Sequence, residues 1–407
     1  MALMPVAEAL EKIQAGVMPL GPEHVGLRFA AGRTLAQDLS AALTHPPFDS
    51  SSMDGYALRT ADAVKPNASL RVIGEAAAGR SFAGTVGPGD AVRIFTGAPL
   101  PGGADTIVIQ EDVQAGGGRV TISSAPVSGN NIRPRGQDFH EGDHVLSRGQ
   151  CLNARDILLA ASSGHAMLAV VKRPVVAILA TGDELVEPSD RPLAGQIVSS
   201  NSYGLAALVE AAGGTANLIG IAQDNAADLA IKLREAETAD ILVTTGGASV
   251  GDHDLVRPAL EAAGCTLHFY KIAMRPGKPM FFGTRPGSKA GASGTQRILG
   301  LPGNPLAAMI GARLFLQPLI RALLGRADHL QTLTAALAVP LAANGPRDHY
   351  MRAVLETDVT PMRVTPLASQ DSSMVSALSA ANCLIINPAN TPALPAGQMV
   401  TVMPLDF

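Results

Sequence analysis

Four short glycine-bearing motifs between residues 175 and 305 place carboxylates, cations and bare backbone amides at the ends of apolar runs. They read ILATGDEL (178–185), LVTTGGASVGDHD (242–254), MRPGKP (274–279) and LGLPGNP (299–305). Three follow a β-rich apolar run directly, and the third in chain order closes CTLHFYKIA. In an α/β fold such turns lie at the carboxyl edge of a parallel sheet, where ligands bind. Asp183, Glu184, Asp252 and Asp254 offer hard oxygen donors to a divalent cation. Thr181, Gly182, Gly246, Gly247, Ser249 and Gly251 offer amides and hydroxyls that can close around a phosphate. Arg275 and Lys278 on a rigid turn complement an oxyanion, and Pro302, Gly303 and Asn304 lead into a helix that Asn304 can cap. The combination suits a phosphate-bearing ligand held beside a divalent metal. Each motif alone is also what a solvated turn or helix cap looks like; four on one sheet edge define a site.

Other chemistries lack their signatures. There is no GxxxxGK[ST] for a P-loop and no GxGxxG followed by a ribose-binding acid. His165 and His253 have no HExxH or cysteine partners, so each reads as a surface or core histidine.

The positioning elements follow from periodicity. Val6, Ala9, Leu10 and Ile13 predict an opening amphipathic helix ended near Gly16, and a second short helix is expected over residues 32–40. HPPFDSSSMDGYAL (45–58) then breaks the pattern, and to about residue 138 only short Val/Ile/Phe runs cut by Gly and Pro appear. A helix is predicted near residues 154–162 and an exposed connection at 172–174. From 175 to 325 strands and helices alternate. Stripes at Leu205, Leu208, Val209, Ala212 and at Val256, Ala259, Leu260, Ala263 stop at glycines, and a third starting at Leu306 carries a kink at Pro318. Such alternation predicts a parallel doubly wound domain, and the tail from Thr332 reads as a small β-barrel or sandwich.

The expected fold is thus α/β multidomain: an N-terminal helical and linking unit (1–44 with 140–173), an inserted β-rich unit (45–139), the doubly wound domain (174–327) and a C-terminal β domain (328–407). With 31 basic and 35 acidic residues the net charge is -4, which argues against a nucleic-acid coat. The three cysteines form no CxxC pair, which fits a reducing compartment. Glu8 and Glu11 interrupt any signal peptide, and no uncharged run approaches membrane-spanning length; a cytoplasmic location is expected.

The ordered series PPFDSSSMDGYAL, GEAAAG, RIFTGAPLPGGADTIV, RPRGQD, ATGDEL, TTGGASVGDHD, RPGKP and GLPGNP resembles the MoeA family of molybdopterin molybdenumtransferases, which includes the gephyrin E domain. The resemblance spans essentially the whole chain. It implies a cytoplasmic, L-shaped homodimer of four-domain subunits whose third domain is similar to the MogA/MoaB fold. It further implies insertion of molybdate into adenylated molybdopterin, with Mg²⁺ assisting and AMP released. No nucleic acid or membrane is implied, while the upstream adenylyltransferase and acceptor molybdoenzymes are potential partners. Carried over by motif, Asp54, Asp138 and Thr96 match residues facing the cleft across the dimer. Glu184, Asp224 and Asp254 match acids associated with pterin, nucleotide or metal, and Lys278, Arg275, Arg347 and Ser373 are candidates for the molybdate pocket, with Arg352 the alternative to Arg347. Asp54, Asp138, Glu184, Asp254 and Lys278 are the candidate catalytic set. Two departures stand out: Arg275 where many members have Lys or Gln, and Ala307 where LPGNPxS would place a hydroxyl. Rival readings are a molybdopterin adenylyltransferase, a dimeric scaffold of the same fold, and a CinA-type pyrophosphatase.

Overall fold

The computed structural model describes residues 3–247, 255–287, 294–326 and 331–405. Its centre is a six-stranded sheet ordered 215–222, 175–181, 241–245, 295–301, 279–286, 266–271. The first four strands are parallel, and Pro279–Pro286 runs antiparallel to both of its neighbours. That single reversal leaves Thr266–Lys271 pointing the same way as the parallel set, so the RPGKP turn opens on the same edge as the other three motifs. The chain leaves Val175–Thr181 for one neighbour and returns to Ile241–Thr245 on its other side. This is the strand-order reversal at which α/β sheets leave a crevice.

Alternation along the strands divides two cores. Val176, Ile178, Ile241, Val243, Leu299 and Leu301 pack on one face. Ala177, Leu179, Leu242 and Ile298 pack on the other, as the period of two requires. The predicted stripe Leu205, Leu208, Val209 and Ala212 is buried on the Asn201–Ala212 helix, which ends at Gly213 with φ of 96°. The run from Pro305 shows the expected irregularity as a π turn, Ala312–Leu316, just before Pro318. Pro318 lacks the N–H that a continuous α ladder would use, and the wider turn accommodates it. The Pro305–Leu323 stretch is long and apolar enough to cross a membrane, but it is 83% buried, which makes it a core helix of the domain.

The opening helix Val6–Gln14 turns Ala9 and Ile13 into the central core. Between residues 55 and 122 a six-stranded sheet forms the β-rich unit. The helix expected over 32–40 does not form. Gly32 adopts φ of 75°, and Leu35 and Ala36 donate to the carbonyls of Gln150 and Ala169, so long-range pairing takes the hydrogen bonds a helix would need. Pairing of Pro22–Gly26 with Met167–Val171 was equally invisible in the sequence. The Ala154–Ser162 helix forms as expected, with an Asn153 capping box.

In the C-terminal region, strands 348–356, 363–366, 333–337, 399–404 and 383–387 close into a five-stranded barrel. Met274–Arg275 joins it at the start of the 348–356 strand, pairing in parallel with Asp348 and His349. The two domains are therefore joined by backbone hydrogen bonding beside the RPGKP turn.

Replacing Leu205 by Ala, at a position with 0% exposure, is expected to cost about 2–5 kcal/mol. A chemical-denaturation midpoint unchanged from the parent chain would contradict this packing.

Candidate functional site

Three strand ends meet at the sheet edge, and at Gly246 the backbone is too close to its neighbour for a side chain. Gly246 follows Ile241–Thr245 with φ of 87°, and a Cβ built on it would lie 2.4 Å from the Thr181 carbonyl oxygen. A Cβ on Gly303 would lie 3.5 Å from the Gly246 Cα. Glycine at 246 is thus required on two counts, its left-handed conformation and the absence of space.

Around this meeting point lies a cleft of about 540 Å³ lined by Thr181, Glu184, Ser199, Ser200, Asn201, Thr245, Gly246, Gly303, Asn304 and Ser373, with Leu185, Ile197 and Val198 as an apolar wall. The Asn201–Ala212 helix starts in it, and no side chain caps its first turn. That helix end offers N–H groups and a positive dipole to an anion. Asn201 Nδ2 donates to the Gly303 carbonyl at 2.8 Å, while its Oδ1 is buried without a partner. Asn304 caps the Pro305–Gly311 helix through the Ala307 N–H; it also lines the cleft, so capping and site roles coincide.

A second cleft, of about 400 Å³, shares Asn304 and opens between the central domain and the barrel. Arg275, Lys278, Pro302, Ala307, Arg347, His349, Gln370, Asp371 and Ser372 line it. Among the described residues, Arg275, Lys278 and Arg347 make no ion pair with a carboxylate. Unpaired cations converging on one cleft suit an oxyanion. His349 is only 8% exposed, and burial, then Arg275 and Arg347, push its pKa down to about 4. The imidazole is therefore neutral near pH 7.

Arg352 is not part of this lining. It is fully buried and donates to backbone carbonyls, so of the two arginines weighed from the sequence only Arg347 faces the cleft. Ser373 Oγ donates to Asp371 Oδ1 at 2.8 Å, and its amide donates to the same oxygen at 2.9 Å. These two bonds, the backbone one first, hold the Asp371 carboxyl below its usual range.

Beside the first cleft, Asp183 Oδ1 accepts the Asp224 N–H at 2.9 Å. Burial raises the Asp224 pKa, and the charges of Asp183 and Glu184 raise it further. This rim carries more negative charge than it neutralises. Gly182 starts the turn whose central residues are Asp183 and Glu184, its carbonyl accepting the Leu185 N–H at 3.1 Å. Gly247 packs against Val256, where a Cβ would lie 2.2 Å from Cγ2.

Ser249, Gly251, Asp252 and Asp254 lie outside the described residues. Among the described residues no group of three or more His, Cys, Asp or Glu side chains could hold a metal. Asp54, Thr96 and Asp138 belong to the N-terminal half and line neither cleft. Asp54 Oδ1 accepts the Thr96 N–H and Oγ–H, each at 2.8 Å, which lowers its pKa. Asp138 lines a separate cleft with His45 and Arg133. Sequence reading missed Ser199, Ser200, Asn201, His349 and Gln370. The polar VSSN run just before a predicted helix was a usable signal for the first three; His349 and Gln370 had none.

A doubly wound domain whose crevice joins an amide-lined cleft to a cation-lined one is the build of an enzyme that handles phosphate-like anions. The comparisons specify which. Residues 4–164 match the MoeA N-terminal region (domain I and II), residues 177–322 a probable molybdopterin binding domain, and residues 334–405 the MoeA C-terminal region (domain IV). The molybdopterin molybdenumtransferase of Nostoc sp. is 38% identical over 94% of this chain and 88% of its own length. That of Haemophilus influenzae is 33% identical over 95% of each. The molybdopterin biosynthesis MoeA protein of Pyrococcus horikoshii superposes with a TM-score of 0.86 over 100% of both chains, at 29% identity. The chain belongs to the MoeA family, the molybdopterin molybdenumtransferases of molybdenum cofactor biosynthesis.

Two outcomes follow. Gly246→Ala is expected to destabilise the fold by about 1–3 kcal/mol, the overlap with Thr181 forcing the strand ends apart; an unchanged chemical-denaturation midpoint would contradict the close-approach geometry. For His349, folded pKa lies below unfolded, so the unfolded chain takes up its proton first. Stability is full above about pH 6.5 and falls as pH drops toward about 4, by on the order of 1–3 kcal/mol. His349→Gln should flatten that part of the stability–pH curve, and an identical slope in both proteins would contradict the buried neutral histidine.

Proposed function

We propose that this chain inserts molybdate into adenylated molybdopterin and releases AMP. The observation that carries the reading is the junction of the two clefts. Asn304 belongs to both, and the consecutive Ser372 and Ser373 face one each. An adenylated pterin brings phosphates, which suit the uncapped helix start and the amides around Gly246. Molybdate is a tetrahedral dianion, which suits Arg275, Lys278 and Arg347. Adjacent clefts put the oxyanion next to the dithiolene that must take the metal, and holding both in one place converts an encounter into an intramolecular step. Water cleaves the anhydride to AMP and the pterin phosphate, while the two dithiolene sulfurs replace two molybdate oxygens, which leave as water. Three cations lower the cost of gathering negatively charged reactants.

Mg²⁺ fits the donor set in a limited way. It takes one or two carboxylates together with substrate phosphates and keeps several waters. Glu184 with Asp254 would hold it, and Asp183 and Asp224 add attracting charge. It would supply charge neutralisation at the anhydride. Asp224, whose charged form is disfavoured by Asp183 and Glu184, gains most from a nearby cation.

The same reading includes a homodimer in which Asp54, Thr96 and Asp138 of one subunit face the clefts of the other. It also includes a cytoplasmic location, and the four-domain division set out above. Ala307 sits in the oxyanion cleft with no hydroxyl to give, at 4% exposure, and a lost hydrogen bond there amounts to about 0.5–1.5 kcal/mol.

The test is AMP release from adenylated molybdopterin with Mg²⁺, with and without molybdate, and with tungstate as a parallel arm. Molybdate-dependent release with metal retained on the pterin is expected, as is a loss of at least about 100-fold in Glu184→Gln. ATP-dependent formation of the adenylate instead would make the protein an adenylyltransferase, and a folded dimer binding neither AMP nor molybdate would make it a scaffold.

A further inference from the structure

The segment 369–374 is the element that both clefts share. Gln370, Asp371 and Ser372 line the cationic cleft and Ser373 lines the amide-lined one. It contains no strand or helix, so nothing regular fixes its shape. One side chain does so instead. Arg352, on the barrel strand Asp348–Glu356, has 0% exposure. Its Nη1 donates to the Met374 carbonyl at 3.1 Å, and its Nη2 to the carbonyls of Ser369 at 3.0 Å and Asp371 at 2.8 Å.

The backbone of Arg352 is tied to the same loop. Its N–H donates to Gln370 Oε1 at 3.0 Å, and Gln370 Nε2 donates back to the Arg352 carbonyl at 3.0 Å and to that of Leu367 at 2.9 Å. At the loop's far end the Asp371 carboxylate folds the Ser373 amide and hydroxyl toward itself. A buried guanidinium is costly unless its donors are satisfied. Here backbone carbonyls of one loop accept from both terminal nitrogens, Nε is left without a partner, and the Asp371 charge contributes at longer range. The loop is thereby held at its start, middle and end by a single planar group, a geometry that an ammonium's point charge does not reproduce.

We propose that Arg352 is a positioning residue that sets the 369–374 loop and, through Ser372 and Ser373, keeps the two clefts in register. Arg352 touches neither ligand; it acts through the loop. The ligand identities rest on the functional reading above, whereas the loop-setting role does not, and the experiment separates the two.

Arg352→Met and Arg352→Lys are compared with the parent chain and with Val402→Ala, a barrel-core change chosen to match their loss of thermal stability. Amide hydrogen exchange reads the loop directly. The amides of Ser373 and Met374, which donate to Asp371, should exchange at least about tenfold faster in Arg352→Met, less so in Arg352→Lys, and unchanged in Val402→Ala. Calorimetry with sodium molybdate and with AMP should show both dissociation constants rising together, roughly tenfold, in Arg352→Met alone. Loop exchange matching that of Val402→Ala would overturn the positioning role, whatever the ligands do. Faster loop exchange with both affinities unchanged would overturn the link to the clefts. A parent chain that binds neither probe refutes the functional reading and leaves the exchange result to decide the loop.

Discussion

The close approach of Gly246 to Thr181 and Gly303 is the constraint on which the site depends. Three chain segments arrive at one sheet edge, and between Gly246 and Thr181 there is no room for a side chain. Only then can amides from separate loops, the start of the Asn201–Ala212 helix and the carboxylate of Glu184 surround a single small volume. The two buried cores on either face of the sheet supply the rigidity that holds strand ends at such distances. Neighbouring groups then follow from geometry: Asn201 ties the helix start to the Gly303 carbonyl, and Asn304 starts the next helix from the shared wall of the clefts.

The cation-lined cleft has a different origin, since it exists only where two domains meet. Pairing of Met274–Arg275 with Asp348 and His349 fixes the RPGKP turn against the barrel. That pairing brings Arg275 and Lys278 from one domain to Arg347 from the other. Burying His349 between Arg275 and Arg347 keeps it neutral, so it adds a polar group without adding charge. The carboxylate of Asp371 is turned to the Ser373 amide and hydroxyl, which stabilise its charge within a cleft otherwise suited to anions.

Much of this was legible in the sequence, for local reasons. The helix stripes, their glycine stops and the alternating strands of the central domain depend on residues a few positions apart, and they appear where periodicity put them. The four motifs could be placed on one edge because each follows a strand, and the antiparallel Pro279–Pro286 strand preserves that placement. Residues 32–40 failed as a helix because their hydrogen bonds go to Gln150 and Ala169, more than a hundred positions away. Arg347 and Arg352 were indistinguishable because the 348–356 strand does not alternate cleanly between buried and open positions. It packs against the barrel interior on one side and the cleft loop on the other. His349 and Gln370 joined the site without any local signal, since only the domain junction makes them neighbours of Lys278.

The most direct measurement is a crystal structure of the protein soaked with tungstate and AMP, with tungsten located by its anomalous scattering. The account predicts tungsten between Arg275, Lys278 and Arg347, with the AMP phosphate beside Gly246 and the first turn of the Asn201–Ala212 helix. Tungsten seated elsewhere, or AMP bound away from the junction at Asn304, would contradict it.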